Sequence, residues 1–106
     1  MTHSQTTRAA RVFWTSAEVR GRSSPPATLR YVGLSRFSAD GPGWPDGAWS
    51  VELYFDVPPP EQQDAGVSEA RVRFLMEDAP TERLSVGQRF SLYEGPFRVA
   101  DVEVVG

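Results

Sequence analysis

The chain has 106 residues, 40% of them apolar and 24% charged, with a formal net charge of −3, which is the balance of an ordinary globular protein with room for one hydrophobic core. It contains no Cys and no Lys, so disulfides, thiolate metal sites, Cys nucleophiles, Lys Schiff bases and the Lys-dependent phosphate loop of nucleotide hydrolases are all excluded. Ile and Asn are also missing while Arg supplies all eleven permanent cations, a bias that fits GC-rich coding and means that abundant Arg does not by itself signal nucleic acid.

Residues 1–10 are small and polar, and although they include Arg8 they lack the apolar run of about seven that a secretory signal requires. The expectation is a flexible N-terminal tail, a single ordered domain over residues 11–106, and a cytoplasmic chain. No stretch approaches the roughly 18 consecutive apolar residues of a membrane-spanning helix, so no membrane partner is expected. The first predicted strand lies in residues 11–20, with Val12, Phe13, Trp14 and Val19, and stops at Gly21 and the Pro25, Pro26 pair. A second short strand is predicted over residues 28–34.

Residues 35–48 hold Gly41, Pro42, Gly43, Pro45 and Gly47, too many breakers for a strand or helix interior, and read as a loop. The clearest periodicity follows. Trp49, Val51, Leu53, Phe55 and Val57 alternate with Ser50, Glu52, Tyr54 and Asp56, which places the apolar set on one face of a strand and the polar set on the other. Pro58, Pro59 and Pro60 end it because they lack ladder donors. A fourth strand over residues 67–76 turns Ala70, Val72, Phe74 and Met76 inward against Glu69, Arg71 and Arg73. A fifth covers residues 89–94 with Phe90 and Leu92 inward, and after the Gly95-Pro96 turn a sixth carries Ala100, Val102 and Val104 on one side, Asp101 and Glu103 on the other. Six short alternating segments separated by turns, with no sustained helical period, predict an all-β fold closed into a barrel, since closure removes the exposed strand edges that would pair with other chains.

Candidates for chemistry are few. A Ser-His-Asp triad would have to recruit the only histidine, His3, from the tail. Glu77 and Asp78 are adjacent and read as a solvated turn. Glu52 and Asp56 share the polar side of the third strand and are the one carboxylate pair that a hydrolase could use, although any half-exposed strand shows the same pattern. Of the tryptophans, Trp49 heads an apolar face and is assigned to the core. Trp44 sits within Gly43-Trp44-Pro45, where it either folds back on the barrel or serves as an interface anchor.

The run Leu84-Ser85-Val86-Gly87-Gln88-Arg89-Phe90-Ser91-Leu92-Tyr93-Glu94-Gly95, followed by Val99 and Val104, resembles the last two strands of the C-terminal β-barrel domain of elongation factor Tu and of small free-standing bacterial proteins like it. Gly21-Arg22-Ser23-Ser24-Pro25 is similar to a Gly-Arg-x-x-Pro stretch after that family's first strand, and Tyr31 lies near its Tyr-Arg-Pro segment. Two departures stand out: Ala100-Asp101-Val102 replaces a Gly-x-Gly, and the proline after Tyr31 is missing. The resemblance implies a six-stranded closed antiparallel-type barrel, and no GTPase activity, because no guanine-nucleotide domain accompanies it in this chain.

Together these readings predict a non-enzymatic binding or accessory module without cofactor, metal or nucleotide, whose partner is a protein engaged through the barrel surface around Trp44. The runner-up partner is RNA of the tRNA type. Residues 1–36 hold six Arg against Glu18, while residues 37–106 hold five Arg against thirteen acids, so the halves differ in sign. Arg20, Arg22 and Arg30 flank the family-like loop and are the expected phosphate contacts.

Overall fold

The alternation seen in the sequence becomes a closed six-stranded barrel in a computed structural model, which describes residues 7–15, 26–62 and 66–106. The strands are β1 (Arg8–Trp14), β2 (Arg30–Arg36), β3 (Ser50–Tyr54), β4 (Val67–Phe74), β5 (Arg89–Glu94) and β6 (Phe97–Val104). Every neighbouring pair is antiparallel, and the order around the barrel is β1-β4-β3-β2-β5-β6. Among the described residues the only helical pieces are 3₁₀ turns at Ser38–Asp40, Pro59–Glu61 and Thr81–Leu84, and no helix is long and apolar enough to cross a membrane.

Val12, Leu53, Val72, Leu92, Val102 and Val104 fill the interior and are fully buried. Aromatic groups close its ends. At one end Phe37 packs on Phe90 and Phe74, with ring centroids 4.8 and 6.1 Å apart. At the other, Trp14 meets Tyr31 edge-on at 6.0 Å and Phe55 at 6.3 Å, while its indole N–H donates to the buried Ser68 hydroxyl at 2.8 Å. Burying each of these large side chains is worth about 1.5–3 kcal/mol.

Several expectations shift at element ends. β1 begins at Arg8 rather than in residues 11–20, so Arg8, Ala9 and Ala10 belong to a strand and not to the tail; residues 1–6 and 16–25 lie outside the described residues. The reason is packing: Ala10, 1% exposed, is small enough to face Ala70 and Val104 across the barrel wall. Val57 and Met76 were expected inward but are 44% and 55% exposed, because β3 ends at Tyr54 and β4 at Phe74 and the alternation no longer applies beyond those ends. Trp49 is only partly buried and packs edge-on against Phe74. In β6, Leu92 pairs with Ala100 and Tyr93 with Arg98, which makes Val99 an extra, bulged residue. The bulge lets Val99 and Ala100 both be buried.

The β2–β5 seam is held by only Leu34, Ser35 and Arg36 opposite Tyr93, Leu92 and Ser91. Gly33 makes it possible: a Cβ there would lie 2.7 Å from Leu92 Cδ1 and 3.1 Å from the Tyr93 carbonyl oxygen. Gly33→Ala should therefore cost about 1–3 kcal/mol through overpacking, and Phe74→Ala about 3–5 kcal/mol through a core cavity. Urea denaturation monitored by tryptophan fluorescence checks both, and parent-like midpoints would contradict the inward placement of Leu92 and Phe74.

Candidate functional site

A barrel with an apolar interior has only its outer wall and end loops to offer a partner. On β2 the outward positions are Arg30, Val32, Leu34 and Arg36; on β3 they are Ser50, Glu52 and Tyr54; on β4 they are Arg71, Arg73 and, just past the strand, Leu75. Cross-strand register groups them into rows. Tyr93, Leu34 and Ser50 form one, Val32, Glu52 and Arg73 the next, and Arg30, Tyr54 and Arg71 a third.

The middle row contains the least expected feature of the molecule. Glu52, read from the sequence as part of a solvated polar face, is only 2% exposed. Its Oε2 accepts from Arg30 Nε at 2.7 Å and from the Tyr54 hydroxyl at 2.6 Å, and its Oε1 accepts from Arg73 Nε at 3.2 Å and Nη2 at 3.1 Å. Burial alone would raise the Glu52 carboxyl, but the donors from Tyr54, Arg30 and Arg73 more than offset it, and the group is held below its ordinary range. Arg30 and Arg73 are both raised, chiefly by their hydrogen bonds to the same carboxylate. Three adjacent strands are thus tied by one anion on the outside of the barrel.

Trp44 comes to the neighbouring row. The loop between β2 and β3 folds back so that the Trp44 ring lies 4.5 Å from that of Tyr93, and its indole N–H donates to the Ser35 carbonyl at 2.8 Å. The Arg36 guanidinium sits over the indole, 5.0 Å from the ring centroid. The loop itself is anchored by Phe37 in the core and by Asp40, which accepts from the Phe37 backbone N–H at 2.7 Å and from Arg83 at 3.0 Å. Trp44 remains half-exposed, held at both its nitrogen and its ring face.

Of the residues singled out in the sequence, Trp44 and Arg30 therefore share one outer face: Trp44 lies against Tyr93 in the row of Leu34, and Arg30 is four residues, or about 13 Å, from Leu34 along β2. Arg20 and Arg22 lie outside the described residues. Tyr93, Arg36, Val32 and Arg73 belong to the same face and were not singled out. The signal for them, an outward position on a strand beside Trp44 or Glu52, exists only once the strand order is known.

A groove of 530 Å³ opens beyond the third row, where Tyr54 and Arg71 meet Asp56, Val57, Glu61 and Gln62. Gln62 shapes its floor by bonding the Val57 and Glu69 carbonyls and the Glu69 N–H. Asp56 is exposed at this groove, whereas both oxygens of Glu52 are occupied by Arg30, Tyr54 and Arg73.

Comparison with known proteins finds no protein family, no curated protein and no solved structure that matches this chain.

The Glu52 network makes a pH prediction with a definite sign. A carboxyl whose folded pKa is depressed stabilises the fold above its unfolded value, near 4.5, and that contribution is lost as pH falls through the folded value. Glu52→Gln should cost about 1–3 kcal/mol at pH 7 by replacing charge-assisted hydrogen bonds with those of a neutral amide, and should differ progressively less from the parent as pH drops below about 4.5. Denaturation curves at pH 7, 5 and 3 measure this; a gap between the two proteins that stays constant across that range would show that Glu52 is not the anion holding the strands.

Proposed function

We propose that this protein is a non-catalytic binding module that takes another protein on the outer face of β2, β3 and β5, with Trp44 as the anchor. The observation carrying this reading is the half-exposed Trp44 ring, packed at a tilt against Tyr93 and under Arg36, on a face that also carries the exposed aliphatic side chain of Val32 one row away. Trp, Tyr and Arg are the side chains that dominate binding energy at protein interfaces, most effectively when they are preordered. Trp44 meets that condition through Ser35 and Tyr93. The barrel's apolar interior and its outward ion pairs, Arg11 with Glu69 and Arg89 with Glu103 among them, are the reverse of what a lipid-facing barrel needs, which supports a module working in water, and we place it in the cytoplasm.

The competing partner, RNA, draws less support from Arg30, whose charge is already matched by Glu52. A carboxylate-dependent hydrolase draws little from Glu52, which is ionised and occupied by three donors. The resemblance of residues 84–95 to the elongation factor Tu barrel bears on architecture and carries no activity with it.

Affinity capture from native lysate, with the bound protein then titrated against purified variants, tests the reading. Trp44→Ala should weaken binding by about thirtyfold or more, the loss typical of a central aromatic anchor. Trp44→Phe, which keeps a ring on Tyr93 but loses the bond to Ser35, should fall between that variant and the parent. Binding that survives Trp44→Ala undiminished in a folded protein would remove this face as the contact surface.

A further inference from the structure

The outward positions of β2, β3 and β4 are dominated by one sign of charge. Arg30, Arg36, Arg71 and Arg73 stand there against two carboxylates, Glu52 and Glu69, in a chain whose net charge is −3. Neither Arg36 nor Arg71 pairs with a carboxylate among the described residues: Arg36 covers Trp44, and Arg71 donates to the hydroxyl and carbonyl of Thr7. Glu69, the next outward residue on β4, is matched by Arg11. Between these cations lie Val32 and Leu75, 37% and 40% exposed, and the half-buried Leu34.

We infer that this face docks an acidic protein segment, one in which Asp and Glu side chains flank an aliphatic or aromatic anchor. The inference rests on the reading of the face as a protein-binding surface and adds the chemistry of the partner. Guanidinium groups fork onto carboxylates with paired hydrogen bonds. Arg30, through one bond to Oε2, and Arg73, through two to Oε1, share the Glu52 carboxylate, so that pair of cations keeps one net positive charge while its side chains are held in place. Arg36, lying along the indole, points the same chemistry at whatever covers Trp44. The aliphatic side chains between the cations favour a protein over RNA, because a nucleic-acid backbone would gain little from them.

The test is a titration of isotope-labelled protein, followed by amide chemical shifts, with three probes: a peptide of about twelve residues alternating Glu or Asp with Leu and Trp, its counterpart with Lys in place of every acid, and labelled tRNA. The acidic peptide should move the Val32, Leu34 and Tyr93 amides and the Trp44 indole resonance, and the Lys peptide should not. Raising salt from about 50 to 500 mM should weaken the acidic peptide about tenfold, and Arg36→Glu should weaken it by about tenfold more; Arg36→Gln, with a smaller loss, controls for the fold. Equal binding of the Lys peptide, or no loss in Arg36→Glu, overturns the charge inference. If in addition a captured partner still depends on Trp44, the protein-binding reading stands alone; if it does not, both fall. Binding of tRNA at this face as tight as that of the acidic peptide would reassign the face to nucleic acid.

Discussion

Closure between β2 and β5 is the constraint on which the remaining architecture depends. The β2-β3-β4 meander and the β5-β6 hairpin are each continuous in sequence, but a barrel requires them to meet, and they do so through three residue pairs at Leu34 to Arg36. Without that contact β2 and β5 would both present unpaired N–H and C=O groups, and Leu92 would lose the bare backbone of Gly33 against which it packs. The β2-to-β3 loop reinforces the seam. Trp44 crosses it to pack its ring at a tilt against Tyr93, and the Ser35 hydroxyl donates to the Trp49 carbonyl at 2.6 Å.

The same region is where a partner would bind, which couples stability to recognition. Glu52 braces β2 against β4 through Arg30 and Arg73, so two cations of the face are already ordered before any ligand arrives. Their side-chain entropy is spent in folding rather than in association. Trp44 is preordered in the same way by Ser35 and Tyr93. On the proposed reading, a surface assembled from such preordered parts would draw its selectivity from the fixed spacing between the indole and the guanidinium groups.

Much of the barrel was legible in the sequence because half-buried strands write themselves as alternation. Val51, Leu53 and Phe55, Val72 and Phe74, Phe90 and Leu92, and Val102 all lie inside as their spacing implied. The errors fall where alternation stops carrying information. Phe37 sits in a segment dense with Gly and Pro, yet it fills one end of the core because the chain turns back on itself there. Val99 is buried through a bulge that a strict period of two cannot represent. Glu52 looks like any outward carboxylate until register places Arg30 and Arg73 beside it, from positions 22 and 21 residues away in the chain. Trp44 was legible as a residue of interest, but Tyr93, which gives it a platform, lies on a strand that becomes its neighbour only when the barrel closes.

The strand order also governs how the molecule can be assembled. β2, β3 and β4 can form as successive local hairpins, and so can β5 with β6, but β1 lies between β4 and β6 and has no partner adjacent in sequence. Its ladder must wait until strands from the far end of the chain are in place, and the loop entropy of that wait is not repaid by any earlier contact. Topology of this kind leads us to expect slow folding for its size, with β1 among the last strands to pair. In a chain folding in that order, the edges of β4 and β6 would stay open to β1 of a neighbouring molecule until its own β1 paired, and a strand-exchanged dimer would form along the same route.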